Sequence, residues 1–191
     1  FSSSMVYGNF INPVVDENTN CEPLGIYAAL KYGGEKLVIS YNQVFDLPYT
    51  IIRPSALYGE RCVSGRVIQN FLEKAFKNEV LEVQGDGEDK LDFTYIEDLI
   101  NGIMKVINSD KPKNEVYNIT YGSSRSINEV CQILKDLFPN IQINNKKRDK
   151  LMPFRGTLSI NKIKEDLGFE PKFPIERGIP KYYNWYKNIF K

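Results

Sequence analysis

The chain has 191 residues, of which 42% are hydrophobic and 26% charged, close to the averages for folded domains. A formal net charge of +1 gives no electrostatic drive toward nucleic acid or a membrane surface, and no apolar run approaches the roughly 20 residues that span a bilayer. Three widely spaced cysteines without a Cys-x-x-Cys argue against a disulfide framework or a metal site, and the lack of any histidine removes the Ser-His-Asp and Cys-His nucleophile systems.

In chain order, residues 1–7 read as the end of a strand and residues 9–22 as a loop. Residues 23–45 are predicted as a long helix in which Leu30, Gly34, Leu37, Tyr41 and Val44 recur at helical spacing as a buried stripe. Gly33-Gly34 weakens that helix and is expected to permit close packing, as between subunits. A β-rich run over 49–53 precedes a helix over 64–77 that buries Val67, Ile68, Phe71, Leu72 and Ala75. Strands over 80–83 and 90–94 flank a Gly85-Asp86-Gly87 turn. Thr94 and Glu97 have the spacing of a capping box before Ile96, Leu99, Ile100, Ile103, Met104 and Ile107, read as a core face. Ser126 and Glu129 repeat it before Ile127, Val130, Cys131, Leu134, Leu137 and Phe138. A basic loop over 144–153 and helices over 161–167 and 174–190 close the chain.

This alternation implies an α/β protein in two parts. Residues 1–60 finish a parallel sheet, and residues 61–191 mainly build a smaller α/β lobe, with some segments returning to the sheet. The crevice at the strands' carboxyl ends is where such sheets bind ligands.

Without histidine, neutral-pH proton transfer needs another group, and Tyr27 and Lys31 offer one. Residues four apart on a helix share a face, and a nearby ammonium favours the phenolate of a tyrosine that otherwise titrates near ~10. A serine hydroxyl from Ser2-Ser3-Ser4, about two dozen residues upstream, would complete a site for alcohol–ketone chemistry. Tyr183 and Lys187 repeat the spacing in the aromatic terminal helix, where they read as packing and surface residues.

Five ordered motifs give the pair its context: Ser2-Ser3-Ser4-Met5-Val6-Tyr7-Gly8, then Pro23-x-x-x-Tyr27-x-x-x-Lys31-x-x-x-Glu35, Arg53-Pro54-Ser55-Ala56-Leu57-Tyr58-Gly59, Gly85-Asp86-Gly87, and Asp92-Phe93-Thr94-Tyr95-Ile96-Glu97-Asp98. Together they resemble the extended short-chain dehydrogenase/reductases, most closely the nucleotide-sugar epimerases and dehydratases, and the likeness continues through Val116-Tyr117-Asn118-Ile119 and Asp166-Leu167-Gly168-Phe169. The resemblance implies the C-terminal part of a Rossmann-type doubly wound parallel sheet plus a smaller α/β substrate-binding lobe. The family's glycine-rich dinucleotide turn has no counterpart in the chain, so the sequence is expected to be the C-terminal part of a longer, cytoplasmic, homodimeric enzyme.

Carried over by residue, the resemblance makes Tyr27 the catalytic acid/base and Lys31 the cation beside it, which also contacts the nicotinamide ribose. Ser3 would bind the reacting oxygen with Ser4 beside it, and Pro54 and Ser55 would line the nicotinamide. The implied cofactor is NAD, with NADP left open, and the implied substrate a nucleotide sugar. Ser4-Met5 stands where family dehydratases and decarboxylases carry carboxylates, which favours epimerization or simple oxidoreduction. Ala56 and Leu91 replace the family's Asn and Arg contacts to the nucleotide diphosphate, leaving Arg66, Lys90, Arg148 or Arg155 to supply the cation, with Arg148 the best match. Oxidoreduction of a non-sugar carbonyl and a non-catalytic dinucleotide-binding role are the alternatives.

Overall fold

The first residues run beside a strand without continuing as one. The Ser2 amide donates to the Ile52 carbonyl at 2.8 Å, but from Ser4 to Tyr7 the chain winds into a 3-10 turn. The Ser3 hydroxyl caps that turn by accepting from the Met5 amide at 3.2 Å. The strand expected over 1–7 therefore gives way to a turn, because a serine oxygen competes locally with ladder hydrogen bonds.

The computed structural model describes residues 1–111 and 113–189; Phe190, the last residue of the expected terminal helix, lies outside them. After a two-residue strand, β1 (Val14–Val15), the long helix α1 spans Ile26–Phe45. It starts three residues later than expected, after Gly25 at φ 83°. The order continues β2 (Thr50–Pro54), β3 (Leu57–Tyr58), α2 (Val67–Phe76), β4 (Leu81–Gln84), β5 (Lys90–Leu91), β6 (Thr94–Tyr95) and α3 (Ile96–Ile107). It ends with β7 (Glu115–Ile119), β8 (Arg125–Ser126), α4 (Ile127–Leu137), β9 (Ile143–Lys146), β10 (Thr157–Leu158), α5 (Asn161–Leu167) and α6 (Ile175–Ile189).

Among the described residues the strands form pairs. β2 lies parallel to β7 with Ile52 opposite Tyr117, and β1 with β10, β3 with β6 and β4 with β9 are also parallel, whereas β5 and β8 are antiparallel. Ile51, Ile52 and Arg53 are buried in succession, as in a strand covered on both faces. Three apolar clusters hold the chain together. Ile52, Tyr117 and Ile119 pack with Leu99 and Val106 of α3 and Ile163 and Phe169 beyond them. A larger cluster joins α2, β4, α4 and α6 through Phe71, Leu72, Leu81, Leu134 and Ile179. Val6, Tyr7, Val15 and Leu158 tie the 3-10 turn to the β1–β10 pair. Segments beyond residue 60 thus share a core with β2.

Several expectations change. The α1 stripe is exposed, with Leu30 at 72% and Val44 at 69%, because no element among the described residues packs on that face; α1 turns Ala28 and Glu35 inward instead. On α3, Ile100, Met104 and Ile107 are likewise exposed, while Leu99, Gly102 and Val106 face the core. The Thr94–Glu97 capping box does not form: Thr94 belongs to β6, its hydroxyl is buried without a partner, and Glu97 pairs with Lys181. The strand over 90–94 splits into β5 and β6, which pair with different partners. The basic loop over 144–153 yields its first residues to β9, which pairs with β4. No helix of the described residues is long and apolar enough to cross a membrane.

Candidate active site

Tyr27 lies in the first turn of α1 with its side chain half exposed, and Lys31 follows one turn later. The Lys31 Nζ is 5.9 Å from the centre of the Tyr27 ring and donates to the Phe1 carbonyl at 3.1 Å. That bond fastens α1 to the residue that leads into Ser2, Ser3 and Ser4, all three buried. Pro54 ends β2, and Ser55 follows it, also buried. The structure thus brings Tyr27 and Lys31 onto one helix face and packs that helix against the serine segment.

A buried polar chain runs beneath this arrangement. Arg53 forks onto Glu35 of α1 through Nε at 2.9 Å and Nη2 at 2.7 Å, and its Nη1 donates to the Tyr7 hydroxyl at 3.0 Å. The Tyr7 hydroxyl donates in turn to Asn118 Oδ1 at 2.9 Å, and the Asn118 side-chain amide donates to the Ser159 carbonyl at 3.2 Å. Burial pushes the Tyr7 phenol well above its ordinary value, so it is a neutral donor and acceptor. Tyr7, Glu35, Arg53 and Asn118 each lie within a motif quoted above, but sequence spacing gives no sign that they touch.

The proposed substrate cations gather elsewhere. A cavity of about 720 Å³ is lined by Met5, Ala56, Arg66, Lys90, Leu91 and Arg155 among others. Arg66, at the start of α2, and Lys90, on β5, are exposed there. Arg148 is not among the lining residues. Its Nε is held by Asp89 at 2.7 Å and its guanidinium lies 4.0 Å over the Phe154 ring, while its Nη2 is buried without a partner. The Nε of Arg155 is also buried without a partner. Burial and the neighbouring Arg66 charge push the Arg155 guanidinium down to about 10, with Asp89 offsetting only part of that effect. Met5, one residue past Ser4 on the 3-10 turn, links the serine segment to this cavity. It was visible in the sequence only as the place where a carboxylate is missing.

The donor set of α1 fits one end of a dinucleotide. An ammonium carries three donors, of which Lys31 directs one to Phe1, and with the Tyr27 ring centre 5.9 Å from it the remaining donors suit the vicinal hydroxyls of a ribose.

Comparison with known proteins bears on this geometry. Residues 1–120 match the model of the NAD dependent epimerase/dehydratase family. The chain is 35% identical to a putative UDP-glucose 4-epimerase of Methanocaldococcus jannaschii, covering 98% of this chain and 61% of that protein. It is 30% identical to the UDP-glucuronate 4-epimerase of Thermodesulfobacterium geofontis, covering 97% and 58%. Its fold is similar to the crystal structure of the UDP-glucuronic acid 4-epimerase of Bacillus cereus in complex with UDP-glucuronic acid and NAD, with a TM-score of 0.93 at 27% identity, covering 98% of this chain and 60% of that one. The chain therefore spans about three fifths of the length of these relatives.

Proposed function

The chain belongs to the NAD dependent epimerase/dehydratase family, and from that premise we propose that the protein inverts a carbinol centre of a nucleotide sugar through a transient ketone. The observation that carries this reading is the Tyr27–Lys31 pair on a helix fastened to the buried serine segment. NAD, when bound, supplies the hydride acceptor and donor. Tyr27 takes the proton from the reacting hydroxyl and returns it, Lys31 holds positive charge beside that phenol, and Ser3 fixes the reacting oxygen. Met5 beside the serine segment supports epimerization over dehydration, since it brings no carboxylate to eliminate water.

The cavity with Arg66, Lys90 and Arg155 would take the nucleotide diphosphate, with Arg148 at its margin, because guanidinium N–H groups match phosphate oxygens. Residues 1–60 would complete the cofactor-binding sheet, and residues 61–191 would mainly form the substrate lobe. The uncovered α1 face of Leu30, Leu37, Tyr41 and Val44 supports a homodimer through that helix, and the substrate class fits a cytoplasmic enzyme.

The test uses full-length protein with NAD and a panel of UDP-, dTDP- and GDP-hexoses. Interconversion of one epimer pair is expected, and Tyr27→Phe should lower turnover by orders of magnitude while NAD stays bound. Unchanged turnover in that variant rejects the assignment. A second reading, oxidoreduction of a non-sugar carbonyl, is favoured by the apolar Ala56 and Leu91 in the cavity wall. No thermal shift with any nucleotide sugar would select it, since a ligand that binds the native state raises the unfolding midpoint.

A further inference from the structure

Tyr27, Lys31 and Glu35 occupy successive turns of one face of α1, at i, i+4 and i+8. Two of the three anchor the helix to the serine segment at opposite ends. Lys31 bonds the carbonyl of Phe1, before the serines, and Glu35 reaches Tyr7, after them, through Arg53. Ser2, Ser3 and Ser4 lie between the two anchors, and Tyr7 closes the same 3-10 turn that the Ser3 hydroxyl caps.

Stability alone gives little reason for this construction. Glu35 and Arg53 are each about 4% exposed, and a buried ion pair tends to lose in desolvation what it gains in attraction, so apolar side chains of similar volume would hold the core as well. A fully satisfied polar chain does fix geometry. The guanidinium fork accepts a single orientation of Glu35, its third contact sets the Tyr7 oxygen, and the Arg53 guanidinium lies 4.9 Å over the Tyr7 ring. Asn118 then locks that oxygen to β7 and, through Ser159, to the segment after β10.

We propose that the Glu35–Arg53–Tyr7–Asn118 chain positions the Tyr27 hydroxyl against Ser3 for proton transfer. This rests on the reaction assigned above, in which those two hydroxyls address one substrate oxygen. None of the four residues is a catalytic residue; they act through Tyr27 and Ser3. Displacement of a reacting group by about 1 Å can reduce turnover about a hundredfold without weakening binding, which is the signature of a positioning role.

The test uses full-length, NAD-loaded protein and the nucleotide hexose that the wild-type protein turns over. Tyr7→Phe deletes one oxygen and leaves the ring under the guanidinium, so the fold should persist. The expected result is a kcat reduced by about tenfold or more, with KM within about twofold and a thermal midpoint within a few degrees of wild type. Arg53→Lys, which keeps the charge and loses the fork, should show the same split between kcat and KM. Wild-type kcat in Tyr7→Phe overturns the positioning role, as does a loss of activity that only follows a lowered midpoint. Tyr27→Phe is measured alongside. If it remains active the reaction assignment itself fails, whereas an inactive Tyr27→Phe with a fully active Tyr7→Phe overturns the positioning role alone.

Discussion

The ammonium of Lys31 lies 5.9 Å from the centre of the Tyr27 ring, and the decoy pair shows nearly the same geometry, with Lys187 6.0 Å from the centre of Tyr183. Helical spacing produces both arrangements. Their surroundings differ: Tyr183 stacks on Phe76 at 5.3 Å with planes 10° apart, whereas Tyr27 stands on a helix tied to the serine segment.

Tyr183→Phe should therefore leave turnover within about twofold of wild type and stability within about 0.5 kcal/mol, because the stacked ring is retained. Steady-state kinetics on full-length protein checks this, and an orders-of-magnitude loss would transfer the catalytic assignment to the wrong pair.

Arg155→Met should separate binding from stability. Its guanidinium is disfavoured by burial and by Arg66, so replacing it with an apolar chain of similar length should leave the unfolding midpoint of the ligand-free protein unchanged or higher. Loss of charged hydrogen bonds worth about 1.5–3 kcal/mol should weaken UDP binding by roughly ten- to a hundredfold, read by titration calorimetry. Undiminished UDP affinity would remove Arg155 from the diphosphate site.

Asp92 is fully buried and accepts from the Leu158 amide at 3.0 Å, the Thr120 hydroxyl at 3.1 Å and the Gly122 amide at 3.1 Å, yet burial pushes its carboxyl up to about 6. The unfolded value is about 3.9, so the native state holds the proton more tightly. Its contribution is then complete below pH ~4 and is lost as the pH rises through about 6, a change on the order of 3 kcal/mol. Asp92→Asn cannot ionise, and its amide would face N–H and O–H donors, so it should be less stable overall by about 1–3 kcal/mol. In denaturant unfolding at several pH values, the wild-type advantage over Asp92→Asn should shrink from pH 4 to 6. A difference that stays flat or grows contradicts the assignment.

Gly102 makes the contact of α3 with β7 possible. A Cβ there would lie 2.4 Å from Ile119 Cγ2 and 3.2 Å from Phe169 Cε2. Alanine gains about 1 kcal/mol of helix propensity, but overpacking of this kind costs about 1–3 kcal/mol. Gly102→Ala should therefore lower the unfolding free energy by roughly 1 kcal/mol, and an increase would show that the contact yields freely.

Local signals translated well wherever a short segment contained all that it needed. The Ser126 hydroxyl accepts from the Glu129 amide at 3.1 Å, and Glu129 Oε2 accepts from the Ser126 amide at 2.7 Å, as the capping-box spacing anticipates. The Gly85 and Gly87 turn has φ of 67° and 83°, a conformation that glycine adopts without strain. Helix α5 covers Asn161–Leu167 as periodicity predicts. Thr94 and Glu97 carried the same capping signal and failed it, because β6 takes Thr94 and α6 supplies Lys181 to Glu97. Apolar periodicity on α1 located a stripe correctly but not its environment, since a pattern of side chains does not say which surface will cover them.

For this protein, sequence alone determined the alternating α/β order, the pairing of Tyr27 with Lys31 and the family likeness, because helix pitch and motif order are properties of neighbours along the chain. Only the tertiary structure decided that Glu35, Arg53, Tyr7 and Asn118 form one buried chain, and that Arg155 rather than Arg148 lines the large cavity. Those contacts join residues up to 111 positions apart, and a hydrogen bond or the lining of a cavity depends on distances in space that spacing in sequence does not encode.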